Sequence, residues 1–441
     1  MSNYQISDDA FTQELTRIRG LIGAGQLQDA ALALNHAQRL APRDARVPLL
    51  GMRLAMAAGN PDAATQGARR AVALAPDWSV ALCELALALT RQNKIEEAMV
   101  HVRRAVRVSP DDPMVLQRAL AVAGRAESTD EAAEWALKGL QLQPDDLRYH
   151  IFLGDHLALR KSHAEAKVHF EAVLSAQPDN ITALRGALSC ALEMKDNAAS
   201  TSLADRLLAL APNDETVRYF HAIAHGETPT TQPRTVVSSL FDDYAPRFDM
   251  HLVRGLKYKV PERAARILTE LHPDRRFNLL DLGCGTGLLG VYLGPINGAI
   301  VGADLSEKMI EQAARHKIYA KFYNVNVLDA LRDTPSEHYE AIACLDVLVY
   351  VGELEPVIPN AFRILKPDGD FIFSCEAARE DEDDMVLRRP SNRYAHKASH
   401  VERLCREAGF DGVRIEHLPA LRMENNEPLP GFLVVAHKPA A

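Results

Sequence analysis

The stretch Leu279-Leu280-Asp281-Leu282-Gly283-Cys284-Gly285-Thr286-Gly287-Leu288-Leu289-Gly290 decides how the second half of this chain must fold. An apolar run ends in a carboxylate, glycines then occupy alternate positions 283, 285 and 287, and a second apolar run follows. This order predicts a buried parallel strand that turns sharply into a helix. The turn is kept free of Cβ atoms so that a ligand can lie against the backbone. Asp304, nineteen residues past Gly285, closes a second apolar segment that begins at Gly298. In a βαβ unit a carboxylate at that place grips ribose hydroxyls, so the pattern predicts an adenosine-type ligand.

Gly285, Gly287 and Gly290 also fit G-x-G-x-x-G, a spacing used for dinucleotides. Asp281 argues against that ligand, because a carboxylate two residues before the first glycine repels a pyrophosphate seated on the turn. It favours instead a ligand that carries an ammonium and a sulfonium, as S-adenosylmethionine does. A glycine turn with no ligand would leave Asp281, the glycines and Asp304 unexplained together. Asp281 to Gly287 resembles D-x-G-x-G-x-G, the first motif of the class I S-adenosylmethionine-dependent methyltransferases.

Apolar strand patterns recur at Asn278–Leu282, Ala299–Ala303, 322–327, Ala341–Leu345, Asp370–Cys375, 413–418 and 432–437, with helical stretches such as Glu307–His316 and Leu354–Arg363 between them. With the resemblance, this predicts a Rossmann-like α/β domain with a seven-stranded sheet whose last strand is antiparallel. Ligands in such sheets sit at the carboxyl ends of the strands. On that frame Asp281, Gly283, Cys284, Gly285 and Gly287 form the donor turn and Asp304 meets the ribose. Leu305 and Met309 pack beside the adenine, and either Asn326 or Asp329 meets its amino group. Asp346 and Val347 leave the fourth strand beside the methyl position. Tyr350, His396, His251 and Glu376 are candidate catalytic residues on the acceptor side. Tyr244 and Phe248, four apart in the segment 240–252, share one helical face, in a stretch that folds over donor and substrate in many small-molecule methyltransferases. His396 and His400 lack an acid or cysteine partner, so no metal is expected. The run Glu380–Asp384 reads as a solvated loop ahead of the basic pair Arg388-Arg389.

The first half carries a different signal. Prolines stand at 42, 76, 110, 144, 178 and 212, each 34 residues after the last. Twelve positions before each stands a small residue: Ala30, Ala64, Ala98, Ala132, Ala166 and Ser200. A fixed period of this length means a stacked unit, here two amphipathic helices such as Val80–Gln92 and Ile95–Val108. The small residue lets the paired helices approach, the proline stops the second, and Asp or Asn caps the next, as in Asp112-Pro113. The pattern resembles the tetratricopeptide repeat in six units over about residues 11–214. It departs from that family at the eighth position, where Ile18, Met52, Leu120 and Leu188 replace the usual Gly or Ala. The expected groove includes Arg19, Met56, Cys83, Leu87, Gln117, Ile151, Asp155 and Arg185, a mixed and rather apolar set. Residues 1–225 are thus read as a helical repeat solenoid, 226–236 as a linker, and 237–441 as the methyltransferase domain.

Over its 441 residues the chain is 47% hydrophobic and 25% charged, with a net charge of −9. That balance disfavours general nucleic-acid binding. No apolar run approaches a membrane span, no export signal stands at the start, and a cytoplasmic location is expected. The six cysteines form no C-x-x-C pair and read as reduced, space-filling thiols. Phrases at 240–252, 346–350, 393–396 and 421–424, together with the repeats, resemble bacterial methyltransferases that carry tetratricopeptide repeats. The resemblance implies S-adenosylmethionine as donor and S-adenosylhomocysteine as product. It implies O- or C-methylation of a small acceptor, with the repeats mediating assembly, including self-association, or shaping the pocket. The alternatives are a protein methyltransferase whose repeats recruit its substrate or partner protein, and a non-catalytic regulator that binds the donor or its product.

Overall fold

A computed structural model describes residues 10–126, 129–244, 258–389, 391–424 and 427–440; the side chains of residues 129, 243 and 244 lie outside it. His251 and Phe248, and the side chain of Tyr244, are therefore outside the described residues. The chain divides into two compact units, Met1–Leu203 and Ala204–Ala441. The division falls ahead of the 226–236 stretch, since that stretch and the helix before it pack within the second unit.

The repeat period appears directly as helix pairs. First helices are α1 (Ala10–Gly23), α3 (Arg46–Ala57), α5 (Ser79–Arg91), α7 (Pro113–Ala123), α9 (Leu147–Leu159) and α11 (Ile181–Glu193). Second helices are α2 (Leu27–Leu40), α4 (Pro61–Leu74), α6 (Ile95–Val108), α8 (Thr129–Leu142), α10 (His163–Ala176) and α12 (Asn197–Leu210), starting every 34 residues. The small residues Ala30, Ala64, Ala98, Ala132 and Ala166 are fully buried, as close helix approach requires. Asp112 caps α7 by accepting from the backbone N–H groups of Met114 and Val115, with Pro113 at the first helical position. Asn60, Asp146 and Asn180 cap other repeat helices in the same way. Cys83, expected on the groove, is fully buried with Leu82, Ala105 and Val115, because its helix turns that face into the stack.

The second unit begins with α13 (Glu215–Ala224) and α14 (Arg234–Tyr244), then α15 (Val260–Leu271), β1 (Leu279–Leu282), α16 (Leu288–Leu293), β2 (Ile300–Asp304), α17 (Glu307–Arg315), β3 (Lys321–Asn324) and α18 (Val327–Asp333). It continues with β4 (Tyr339–Cys344), a single 3-10 turn at Leu348–Tyr350, α19 (Ile358–Ile364), β5 (Leu365–Ala377), β6 (Met385–Arg388), β7 (Arg393–His396), α20 (Ala398–Ala408), β8 (Gly412–Glu424) and β9 (Glu427–His437). The sheet runs β3-β2-β1-β4-β5-β9-β8, with β9 antiparallel to β5. This is the expected doubly wound order. Its core is the apolar inner faces of β1, β4 and β5, where Leu280, Ile342 and Phe371 are buried.

The described sheet has nine strands rather than seven. The hairpin β6–β7 adds to the carboxyl end of β5, with Glu376 opposite Ala395. Its strands are four residues each and mixed in charge, so they lack the period-two apolar signal that betrays a strand. The acidic run before them is tied down: Glu382 pairs with Arg388 at 2.6 Å, and Asp384 with His400 at 3.2 Å. The stretch with linker composition is likewise anchored. Thr231 bridges Val351, the Gln232 N–H donates to Tyr350 O at 3.1 Å, and Thr230 O accepts from Gly352 and Glu353. The six cysteines are free and buried. Among the described residues no helix is long and apolar enough to cross a membrane.

Candidate functional site

β1 is buried along its whole length and opens into the glycine turn. Gly283, Gly285 and Gly287 adopt φ of 67°, 52° and 84°, where an L side chain is disfavoured. At Gly283 a Cβ would also lie 2.2 Å from Val347 Cγ2. The turn is stitched to β2: Gly283 and Cys284 donate to Ala303 O at 2.7 and 3.1 Å, and Gly285 N–H donates to Asp304 Oδ2 at 2.8 Å. Asp304 Oδ1 accepts from Ser306 N–H at 2.9 Å. Its carboxylate is thus oriented from both sides by backbone donors.

Asp281 is 2% exposed, and burial raises its carboxyl pKa to about 7. The Tyr319 hydroxyl opposes that shift by donating to Asp281 Oδ2 at 2.6 Å, while the nearby Asp304 charge adds to it. Burial raises Asp304 as well, opposed by its backbone donors. Among the described residues no cationic side chain acts on either carboxyl. Two buried acids without a protein counter-ion make a place suited to a cationic ligand.

These groups line a cavity of about 370 Å³, within the roughly 300–1,000 Å³ usual for small-ligand sites. The donor side is Asp281, Gly283–Thr286, Asp304, Leu305 and Val325–Leu328. Met309 lies buried behind it, under the α17 cap where Ser306 Oγ accepts from Met309 N–H and donates to Asp242 Oδ1 at 2.5 Å. Asn326 faces the cavity and caps α18 by accepting from Asp329 N–H at 2.8 Å. Asp329 is off the wall, held by Arg234 and Arg332 at 2.8 and 2.7 Å. Thr231, Gln232, Val237, Leu240 and Phe241 form a further wall from the anchored segment and α14.

The acceptor side is Asp346, Val347, Tyr350, Val351, Arg393 and Arg422. Asp346 sits in the left-handed region at φ 58°, its N–H donating to Ser374 Oγ at 2.8 Å. Its carboxylate and that of Glu376 both bind Arg422, whose side chain is 1% exposed. Glu376 therefore lies behind Arg422 rather than on the wall, and burial raises its carboxyl pKa. Tyr350 meets Phe241 edge to face at 5.4 Å, and burial raises its phenol. His396 is also off the wall. Its Nε2–H donates to Gly352 O at 2.8 Å, and burial lowers its pKa to about 4, so it is a neutral structural residue near pH 7. Tyr319 and Arg422 were not foreseen as site residues. Each reaches its partner across the sheet, and only the apolar flanks of Arg422, Leu421 and Met423, hinted at a buried cation.

The donor side fits S-adenosylmethionine. Unpaired buried acids suit its ammonium and sulfonium, and the turn leaves no room for a Cβ where its backbone meets Val347. The buried Tyr258 hydroxyl on the same wall has no hydrogen-bond partner among the described residues and is open to a ligand.

Residues 280–371 match a family model described as "Methyltransferase domain". The chain is similar to the mitochondrial ubiquinone biosynthesis O-methyltransferase of Mus musculus, 26% identical over 168 residues, which are 36% of this chain and 42% of that protein. It is 30% identical over 109 residues to the ubiquinone biosynthesis O-methyltransferase of Pseudomonas fluorescens (strain SBW25), covering 23% of this chain and 47% of the relative. The chain thus spans less than half the length of these two curated relatives. Among solved structures, it is similar to magnesium protoporphyrin IX methyltransferase from Synechocystis PCC 6803 (TM-score 0.37, 17% identity, 46% of this chain and 99% of that one). It is also similar to the TPR protein YrrB (TM-score 0.40, 16% identity, 44% and 98%). The chain carries a methyltransferase domain of the S-adenosylmethionine-dependent class behind an array of tetratricopeptide-type helix pairs.

Proposed function

We propose that this chain transfers the methyl group of S-adenosylmethionine to an oxygen of a small acceptor lying against Tyr350 and Arg393. The observation that carries the reading is the buried pair Asp281 and Asp304, oriented around a Cβ-free turn at one end of a largely apolar cavity. The names of the curated relatives, O-methyltransferases of ubiquinone biosynthesis, favour oxygen and a small acceptor.

When bound, the donor supplies an electrophilic methyl group with a neutral leaving group. In this reading Asp304 holds the ribose, Asn326 the adenine amino group with Leu305 beside the ring, and Asp281 the cationic tail. Val347 and Asp346 border the methyl position. Arg422 neutralises Asp346 and Glu376, so the acceptor wall is rigid and not free to take protons. The cation Arg393, beside Tyr350, favours the ionised form of an acceptor hydroxyl, and Tyr350 keeps its own proton and donates a hydrogen bond. Alignment and water exclusion then supply most of the rate. The repeats, about 11–214, serve assembly or a partner rather than the chemistry.

The full-length chain incubated with cell extract and donor labelled in the methyl group tests this. Label in the small-molecule fraction, released by acid hydrolysis as from a methyl ether, supports it. Label confined to protein would favour recruitment of a protein substrate, and donor binding without any turnover would favour a regulator.

A further inference from the structure

We infer that Asp205, His221 and His225 form a binding site for a divalent first-row transition ion, Zn²⁺ foremost. Their spacing gave no such hint: the aspartate precedes the histidines by 16 and 20 residues, on another helix. The fold brings them together. His221 and His225 are four apart on α13 and share a face one turn apart, their rings 4.3 Å between centroids. Both Nε2 atoms converge on one carboxylate oxygen of α12, Asp205 Oδ1, at 3.0 and 2.9 Å.

The ligand atoms lie within 4.8 Å of one another. A tetrahedral ion at about 2.0–2.1 Å from each ligand needs edges of roughly 3.3 Å. Separating each nitrogen from the oxygen by a few tenths of an ångström opens that space, and in doing so replaces two imidazole protons with one cation. Two imidazoles and one carboxylate are borderline donors that select zinc, nickel or copper over magnesium or calcium. The side chains of His221, His225 and Asp205 are 26%, 33% and 56% exposed, which gives an entry path and leaves a coordination position to water. None of the three lines the donor cavity, so the ion is structural. It would pin the end of α12 to α13, whose Glu215 reaches the cavity rim and whose Thr216 bonds Thr235 at 3.1 Å.

The test uses tag-free, full-length chain stripped of metal and titrated with ZnCl₂ by calorimetry near neutral pH. One equivalent should bind and raise the melting temperature. His221→Ala and His225→Ala should each weaken uptake by about tenfold or more and abolish the thermal shift. Circular dichroism of the variants checks that these surface changes leave the fold intact. No stoichiometric uptake, uptake that survives the double substitution, or MgCl₂ binding as well as ZnCl₂ would overturn the proposal. Donor binding, read separately, is expected to persist in both variants, so this outcome is independent of the methyl-transfer reading.

Discussion

The Tyr319 hydroxyl donates to Asp281 Oδ2 at 2.6 Å, across 38 residues of sequence, and in doing so holds down a carboxyl that burial drives up to about 7. Donor affinity should therefore depend on pH. Asp281 must be ionised to attract a cation, so affinity is full above pH 8 and falls about tenfold per unit well below 7. Tyr319→Phe removes the opposing hydrogen bond and moves the midpoint upward by about one unit, with affinity recovered near pH 9. Calorimetry of S-adenosylmethionine binding from pH 5.5 to 9 checks both. An affinity independent of pH in either protein would contradict the role assigned to Asp281. The same raised pKa has a stability consequence of opposite sign. The neutral carboxyl favours the unliganded fold below about pH 4, and that contribution is lost as pH rises through about 7.

Gly283→Ala should weaken donor binding by about tenfold or more. The residue sits at φ 67°, where a side chain costs roughly 1–2 kcal/mol, and its Cβ would meet Val347 Cγ2 at 2.2 Å. Adding Val347→Ala relieves the clash but not the backbone cost, so the double variant should recover only in part. Full recovery would mean that the backbone conformation does not matter.

Arg422→Met should destabilise the second unit by about 3–5 kcal/mol, because Asp346 and Glu376 are left facing each other without their cation. For a unit of this size that lowers the melting temperature by roughly 6–20 °C. Combining it with Asp346→Asn and Glu376→Gln removes the stranded charges and should restore much of the loss. Scanning calorimetry of the single and triple variants decides the matter. A triple variant no better than the single would put the energy in packing rather than charge.

His396→Gln should leave the pH dependence of kcat/KM unchanged between pH 6 and 8, since the imidazole is neutral there and faces Gly352 O instead of the cavity. Its pKa of about 4 is below the ordinary 6.5, so the stability from burying a neutral ring is present above pH 6.5 and is lost as pH falls through about 4. The variant should therefore show a shallower acid-denaturation slope in that window. Disappearance of a kinetic inflection near neutrality would instead restore His396 as a base.

Much of this architecture is written in short-range patterns. The prolines 34 residues apart and their buried alanine partners specify each helix pair, since capping, helix termination and close approach act within a few residues. Asp281, the three glycines and Asp304 are equally local, because a strand end and its turn are consecutive in the chain and the βαβ return has a narrow range of lengths. What the chain order conceals is which distant side chain answers each buried charge. Tyr319 for Asp281, Arg422 for Asp346 and Glu376 at separations of 76 and 46, and the inward, structural placement of His396 all follow from strands that become neighbours only in the sheet. The same holds for the segment 226–236, which reads as a connector by composition yet bonds to Tyr350 and Gly352. Local conformation is settled by forces between near neighbours. Burial and charge pairing depend on the surroundings that the completed fold supplies.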